Sequence, residues 1–189
     1  MIIRPEYLNA LRSDRNIPIV KILAGIRRCG KSTILDMLKN DLLSSGINKE
    51  QIIDRRYTSL SLDEGMDARS MYDDIKSIMT TDDMYYLLLD EVQEIPGWEK
   101  AVNSLSEDCK VDIYVTGSNS KLMSGEISTY LTGRYVLIPV YPLSFEEYLE
   151  FKNADHVEAK RLLPEYIRFG GFPIVARGDY DERSAYQIV

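Results

Sequence analysis

The chain has 189 residues, of which 44% are hydrophobic and 28% charged, and its formal net charge is −7. This composition lies in the globular range and excludes the disordered and fibrous classes, while the length suits one α/β core with a shorter appended segment. Binding to nucleic acid or anionic lipid through bulk charge needs net or clustered positive charge, so the acidic balance argues against both modes. We expect no nucleic-acid partner for this chain.

Cysteine usage and the apolar runs indicate the compartment. Cys29 and Cys109 are too few for a disulfide scaffold, which favours a reducing environment. No apolar run approaches the ~18 to 20 residues of a membrane span, and the opening Met1–Pro5 lacks the apolar stretch of a signal peptide. We therefore predict a cytoplasmic protein without a membrane partner.

The first predicted elements are a short helix and a buried strand. Pro5 suits the first turn of a helix that carries Tyr7, Leu8 and Leu11. Residues 17–24 (IPIVKILA) form a mostly apolar run, which is typical of a strand buried on both faces of a parallel sheet.

A glycine-containing loop directly follows this strand. The segment from Gly25 to Ser32 (GIRRCGKS) has two glycines five positions apart followed by lysine and serine, the pattern of a phosphate-binding loop. The glycines let backbone N–H groups approach phosphates, and the helix predicted from Lys31 to the stop at Gly46 adds the positive end of its dipole. An ordinary glycine turn is the alternative interpretation. We predict a nucleoside triphosphate site, with ATP and Mg²⁺ as the cofactors.

Individual loop residues have distinct expected roles. Lys31 reaches the β- and γ-phosphates as a point charge, and the Ser32 hydroxyl ligates Mg²⁺. Arg27 and Arg28 add positive charge that helps to hold phosphate or a partner, although solvated loop positions explain them equally well. Cys29 is either a thiol whose pKa is lowered beside a helix N-terminus or a small filler, and we favour the filler.

Strand-like and helical patterns alternate through the following residues, which implies a parallel sheet. The β-rich runs cover residues 51–62, 84–89, 111–116 and 135–140, and the helical patterns cover residues 68–80 and 98–107. The pattern changes at Ser144, after which apolar residues recur only at helical spacing. We place a domain boundary near Leu143, with a core at 1–143 and a helical lid, or the start of a C-terminal domain, at 144–189. Because the chain stops within an apparent new helix, we expect a fragment of a longer protein.

An acidic pair, Asp90-Glu91, closes the apolar run MYYLLL. Ligands of open parallel sheets lie beyond the carboxyl ends of the strands, so the pair points at the phosphate loop. Asp90 would hold magnesium through water, and Glu91 would polarise a water for in-line attack on the γ-phosphate. A solvated acidic turn is the alternative.

Two further polar residues follow or precede predicted strands. Asn119, after the strand VDIYVT, could orient the attacking water, although Gly-Ser-Asn is also typical turn chemistry. Arg134 precedes the fifth strand and could reach the nucleotide of its own or a neighbouring subunit as an arginine finger, or form a surface salt bridge.

Several segments together resemble one family. GIRRCGKST, LLLDEVQEIPGWE, VTGSNSKL, LTGRY and IPVYPLSFEEYL occur in the order found in the AAA-type ATPase domain of a large prokaryotic family of ATP-binding proteins, and the resemblance spans about residues 15 to 175. The segments YPLSFEEY and GGFP are peculiar to that family and are absent from phosphate loops in general.

The resemblance implies a P-loop NTPase fold, a three-layer α/β/α domain with a mainly parallel sheet of order 5-1-4-3-2. It also implies a Walker A motif from Gly25 to Thr33, a Walker B motif at Asp90-Glu91 and a sensor-like Asn119. Family members are about twice this length and continue into a C-terminal domain that looks nuclease-like.

Three functions compete at this stage. The first is an ATPase that acts as a switch for a C-terminal effector domain or protein partner, and a second copy of the chain is a candidate partner as well. The second is a phosphotransferase, for which we find no acceptor motif. The third is a non-hydrolysing module in which bound nucleotide holds one conformation.

Overall fold

The computed structural model describes residues 3–58, 65–118, 122, 130–131 and 133–178. The chain begins with helix α1, Pro5–Ser13, in which Pro5 occupies the first turn and Tyr7, Leu8 and Leu11 are buried. The predicted N-terminal helix is therefore confirmed.

Five parallel strands form one sheet of order β2-β3-β4-β1-β5, which is the predicted order 5-1-4-3-2 read from the opposite edge. The strands are β1 Val20–Ala24, β2 Ile52–Arg56, β3 Tyr85–Asp90, β4 Val111–Gly117 and β5 Tyr135–Pro139. The first strand begins three positions later than the sequence predicts. Ile17 is 42% exposed and accepts a hydrogen bond from Ile19 N at 2.7 Å, and Pro18 has no N–H for a ladder.

Helices cover both faces of the sheet and create the three layers of the predicted α/β fold. They are α2 Lys31–Ser44, α3 Ala68–Ile78 and α4 Trp98–Asp108. Alternate residues of β1 face opposite sides, so Ile22 packs in the core with α3 and α4, whereas Leu23 packs in the core with α1 and α2. Gly46, with φ of +87°, follows α2 as the predicted stop.

A helical segment follows the sheet. It comprises α5 Phe145–Lys152, α6 His156–Phe169 and α7 Pro173–Arg177. These helices have a separate apolar cluster, which includes Leu143 and Tyr148. Asp155 caps α6 by accepting hydrogen bonds from two backbone N–H groups. Within the described residues, no helix combines the length and the apolar composition that a membrane crossing requires.

Gly171 joins this helical segment to the core, and its replacement by alanine should destabilise the protein. Leu143 N donates to Gly171 O at 2.6 Å, and a Cβ on Gly171 would lie 2.0 Å from Leu143 O. We expect Gly171→Ala to lower the free energy of unfolding by about 1 to 3 kcal/mol, measured by thermal unfolding. Gly65→Ala is the comparison, because a Cβ there meets no atom within 4 Å and the cost of alanine at φ of +97° is backbone strain without a clash. Equal melting temperatures for Gly171→Ala and the wild type would contradict this account.

Candidate nucleotide-binding site

The loop between β1 and α2 adopts a conformation that depends on its two glycines. A Cβ on Gly25 would lie 2.3 Å from Val140 O, so the chain passes the residue after β5 at a distance that only glycine allows. Gly30 has φ of +104° and turns the chain into α2, whose first residue is Lys31. The backbone N–H groups at the start of α2 therefore point into the space beside the loop.

The ammonium group of Lys31 is held at the base of this loop. Lys31 is 3% exposed, and its Nζ donates to the carbonyl oxygens of Gly25 and Ile26, both at 3.0 Å. Glu91 Oε1 lies 3.8 Å from Nζ, with the Glu91 side chain 23% exposed. A cation and a carboxylate from distant parts of the chain thus meet at the N-terminus of α2.

The acidic pair stands at the carboxyl end of β3, and Thr116 of β4 organises it. Thr116 Oγ1 donates to Asp90 Oδ1 at 2.5 Å and accepts from Glu91 N at 2.9 Å. Asp90 is the last residue of β3 and is only 4% exposed, whereas Glu91 adopts a left-handed conformation with φ of +58°. This turn brings Glu91 out of the strand and into the cleft.

Gln93 holds the Glu91 carboxylate, a contact that the sequence analysis missed. Gln93 Nε2 donates to Glu91 Oε2 at 2.5 Å, while Glu91 Oε1 is the oxygen nearer Lys31. Gln93 Oε1 is also the atom that a Cβ on Gly117 would meet, at 2.2 Å. The amide that contacts Glu91 therefore packs against Gly117 of β4, where only glycine leaves room for it.

Lys31 and Glu91 line a cleft of about 480 Å³ between the phosphate loop and α7, a volume that suits a small-molecule ligand. Its lining consists of Arg28, Gly30, Lys31, Ser32, Thr33, Glu91, Pro173, Ile174, Arg177 and Gly178. The segment GGFP explains the contribution of α7, because Pro173 Cγ lies 3.7 Å from the position of a Cβ on Gly30. Arg177 is a cationic residue of the cleft that local sequence patterns did not reveal.

A comparison with protein-family models identifies the domain. The model described as "AAA domain" matches residues 18–149, which cover the sheet, the phosphate loop and the acidic pair. The chain belongs to the AAA domain family. Its fold is that of a nucleotide-binding P-loop domain, as the sequence resemblance implies.

Curated relatives of this AAA domain have no assigned function. An uncharacterized protein of Haemophilus influenzae is 39% identical over 182 residues, which are 95% of this chain and 46% of the relative. The uncharacterized protein MJ1544 of Methanocaldococcus jannaschii is 32% identical over 179 residues, 90% of this chain and 39% of the relative. The chain thus spans less than half the length of both relatives.

A solved structure supports the fold. The ORC1 protein of Aeropyrum pernix, determined in complex with DNA, superimposes with a TM-score of 0.54 at 12% identity and covers 99% of this chain and 64% of its own. At this level of identity the similarity concerns the fold of the AAA domain alone.

The predicted cofactor-binding residues divide into two groups. The cleft is lined by Arg28, Gly30, Lys31, Ser32 and Thr33. Within the described part of the chain, Gly25, Arg27 and Cys29 do not line it. Cys29 is fully buried among apolar side chains, and this burial raises the pKa of its thiol. The interpretation of Cys29 as a thiol with lowered pKa is therefore wrong, and the filler interpretation agrees with its packing.

Arg134 lies at the amino end of the parallel strands, whereas the cleft lies at their carboxyl end. Its carbonyl accepts from Val20 N at the start of β1, whereas the loop follows Ala24 at the other end, about 15 Å away along the strand. Its guanidinium pairs with exposed Glu107 at 2.6 Å. The own-subunit alternative is incompatible with this placement, and the neighbouring-subunit alternative stays a prediction. Asn119 lies outside the described residues.

The donor set fits a magnesium nucleotide. Lys31 supplies a cation for phosphate, and Ser32 supplies a hydroxyl to the cleft. Asp90 does not line the cleft, but its buried carboxylate stands one residue before Glu91, and magnesium prefers hydroxyl and carboxylate oxygens. The turn at Gly30 leaves room for an anion against the N-terminus of α2. The residues that are present thus match the chemistry of the predicted ligands.

Proposed function

We propose that this AAA domain binds ATP with magnesium and hydrolyses it in the cleft between the phosphate loop and α7. The observation that carries the proposal is the approach of Lys31 Nζ to Glu91 Oε1 at 3.8 Å beside the first turn of α2. A phosphate-binding cation and a candidate base therefore face the same space, as in-line attack of water on a γ-phosphate requires.

Binding rests on the loop and on the start of α2. Lys31 neutralises the β- and γ-phosphates, and the adjacent backbone N–H groups donate to phosphate oxygens. Ser32 and, through water, Asp90 would hold the magnesium ion. When bound, magnesium would supply positive charge that offsets the negative charge of the phosphates.

Hydrolysis rests on Glu91. Its Oε1 lies 3.8 Å from Lys31 Nζ beside the cleft, while Oε2 accepts from Gln93 at 2.5 Å, so Oε1 is the oxygen that would accept from a water molecule. General-base catalysis needs this oxygen within hydrogen-bond reach of the attacking water. Thr116 fixes the Glu91 backbone, which keeps the carboxylate at the end of β3.

The helical segment after Leu143 would act as a lid. Pro173 and Arg177 of α7 line the cleft opposite the phosphate loop. We expect the Arg177 guanidinium to contact the γ-phosphate, a partner that hydrolysis would remove. A shift of α7 would then move the helices beyond the domain boundary that we place at Leu143. The additional length of the relatives leaves room for an effector domain that such a switch could control.

Phosphate release with and without magnesium tests this proposal. We expect ATP binding by calorimetry, and phosphate release from ATP in Mg²⁺ but not in EDTA. GTP assayed in parallel establishes whether adenine or guanine is preferred. Binding without release would favour the non-hydrolysing module. Absence of both would contradict the proposal.

Arg134 is expected to act on the nucleotide of a neighbouring subunit. Activity per subunit should then rise with protein concentration, and Arg134→Ala should lower it at least about tenfold at high concentration. Glu107→Gln is the matched control, because it removes the ion-pair partner and leaves the guanidinium in place. Activity that is independent of dilution, together with an active Arg134→Ala variant, would exclude this role.

A further inference from the structure

The guanidinium of Arg4 is buried behind the phosphate loop, although it belongs to the N-terminal segment. Arg4 is 4% exposed and immediately precedes α1. Its Nε and Nη2 donate to the two carboxylate oxygens of Glu147 at 2.7 and 3.0 Å. Its Nη1 donates to the carbonyl oxygens of Cys29 at 3.3 Å and Tyr141 at 3.0 Å. One side chain thus joins the loop, the link after β5 and helix α5.

Stability alone is a weak reason for such an arrangement. The Arg4 guanidinium is buried, whereas the Glu147 side chain is 26% exposed. Removal of the Arg4 charge from water carries a penalty that offsets much of the attraction to Glu147, so the pair is poor evidence for a purely stabilising role. The planar fork of arginine does, however, fix the positions of several acceptors at once. The contacts of Arg4 therefore indicate a role in positioning.

The contact with Cys29 determines the orientation of one peptide plane of the loop. The peptide bond is planar and trans, so the carbonyl of Cys29 and the N–H of Gly30 point in opposite directions. Because Arg4 holds this carbonyl, the Gly30 N–H points away from Arg4. Gly30 lines the nucleotide cleft, where a backbone N–H is a phosphate ligand.

The contact with Glu147 extends to the helical segment. Glu147 Oε2 also accepts from Ser144 N at 2.8 Å, and Ser144 Oγ accepts from Glu147 N at 3.1 Å, which caps the start of α5. The carboxylate that binds Arg4 is therefore part of the α5 cap. A displacement of α5 would act on the Cys29 carbonyl through a single side chain.

We propose that Arg4 is a positioning residue of the nucleotide site, which orients the Gly30 N–H toward bound phosphate and couples the phosphate loop to α5 through Glu147. This inference rests on the proposed function. It assigns to the N-terminal segment a role in nucleotide affinity.

The expected effect is on nucleotide affinity more than on turnover. Arg4→Ala should raise both the Kd and the KM for ATP about tenfold. This factor corresponds to the loss of one charge-assisted hydrogen bond. The kcat should stay within about twofold, because Lys31 and Glu91 are unchanged. Arg4→Lys should also weaken Kd several-fold, since an ammonium cannot bridge Glu147 and both carbonyls, and it is the second variant if Arg4→Ala does not fold.

A double-mutant cycle tests the coupling. If Arg4 and Glu147 act as a unit, Glu147→Gln should weaken Kd by itself, and the Arg4→Ala/Glu147→Gln pair should bind no more weakly than Arg4→Ala alone. Additive losses would overturn the coupling to α5.

Two comparisons separate this role from a structural one and from failure of the proposed function. Arg12→Ala removes another ion pair of α1, to Asp41, and should leave Kd unchanged even where it lowers stability in urea. A folded Arg4→Ala or Arg4→Lys variant with wild-type Kd and KM overturns the inference, provided that Lys31→Ala loses binding in the same assay. If Lys31→Ala binds like the wild type, the proposed nucleotide site itself is wrong, and the role of Arg4 with it.

Discussion

Lys31→Ala should abolish measurable ATP binding by this domain. The Lys31 ammonium is the buried cation of the cleft, and its position is set by two loop carbonyls at 3.0 Å. Charge-assisted contacts to phosphate are among the strongest polar interactions, so we expect Kd to rise at least about 100-fold. Calorimetry measures this directly, and the ATP-induced rise in melting temperature should vanish in parallel.

The control for this variant lies on the same helix. Lys39 of α2 pairs with Asp54 at 2.7 Å, and its side chain is 33% exposed and lies away from the cleft lining. Lys39→Ala should therefore preserve the Kd for ATP. This result would show that the loss of any lysine from α2 is not sufficient to weaken ATP binding. A folded Lys31→Ala variant that binds ATP within about threefold of the wild type would refute the assignment of the loop.

The phosphate loop and its flanking strand and helix were predictable because their signals are local, whereas the sheet order followed from the family resemblance. Strand, glycine loop and helix follow one another within residues 17–46, and each carries its own pattern of apolar residues and glycines. Strand β1 was predicted too long because apolarity alone does not reveal that Pro18 cannot join a ladder. Local patterns thus predicted which elements occur, and their order along the chain, better than the residues at which each element begins and ends.

Contacts between distant segments were not predictable in this way. Arg4 lies 143 positions from Glu147, and Arg177 reaches the cleft only because α7 folds back over the loop. Neither residue stands in a spacing pattern that indicates its partner. For Cys29 the sequence left two interpretations open, and the packing that buries the thiol agrees with the filler that we favoured.

One error could have been avoided from the sequence. A residue that precedes a strand of a parallel sheet lies at the amino ends of the strands, whereas the phosphate loop lies at their carboxyl ends. Arg134 immediately precedes β5, so the predicted topology was already inconsistent with contact to the nucleotide of its own subunit. The parallel sheet therefore excludes contact with the nucleotide of the same subunit, and it leaves the surface ion pair with Glu107 and action across a subunit interface as the two interpretations.

The second large effect is expected at Glu91. Glu91→Gln preserves the size of the side chain and an oxygen that can accept from Gln93, but it removes the base that would activate water. We expect kcat for phosphate release to fall by about 10² to 10⁴. Affinity should be retained or improved, because the substitution removes a negative charge 3.8 Å from Lys31 and close to the phosphate site.

In Glu91→Gln, phosphate release should therefore fall without a loss of ATP affinity. Calorimetry should give a Kd for ATP equal to or lower than that of the wild type, while phosphate release is lost. Glu158→Gln, on the exposed surface of α6, is the matched substitution and should alter neither quantity. Hydrolysis that survives in Glu91→Gln would exclude Glu91 as the base, and joint loss of binding and hydrolysis would instead indicate that its carboxylate supports the fold of the site through Gln93.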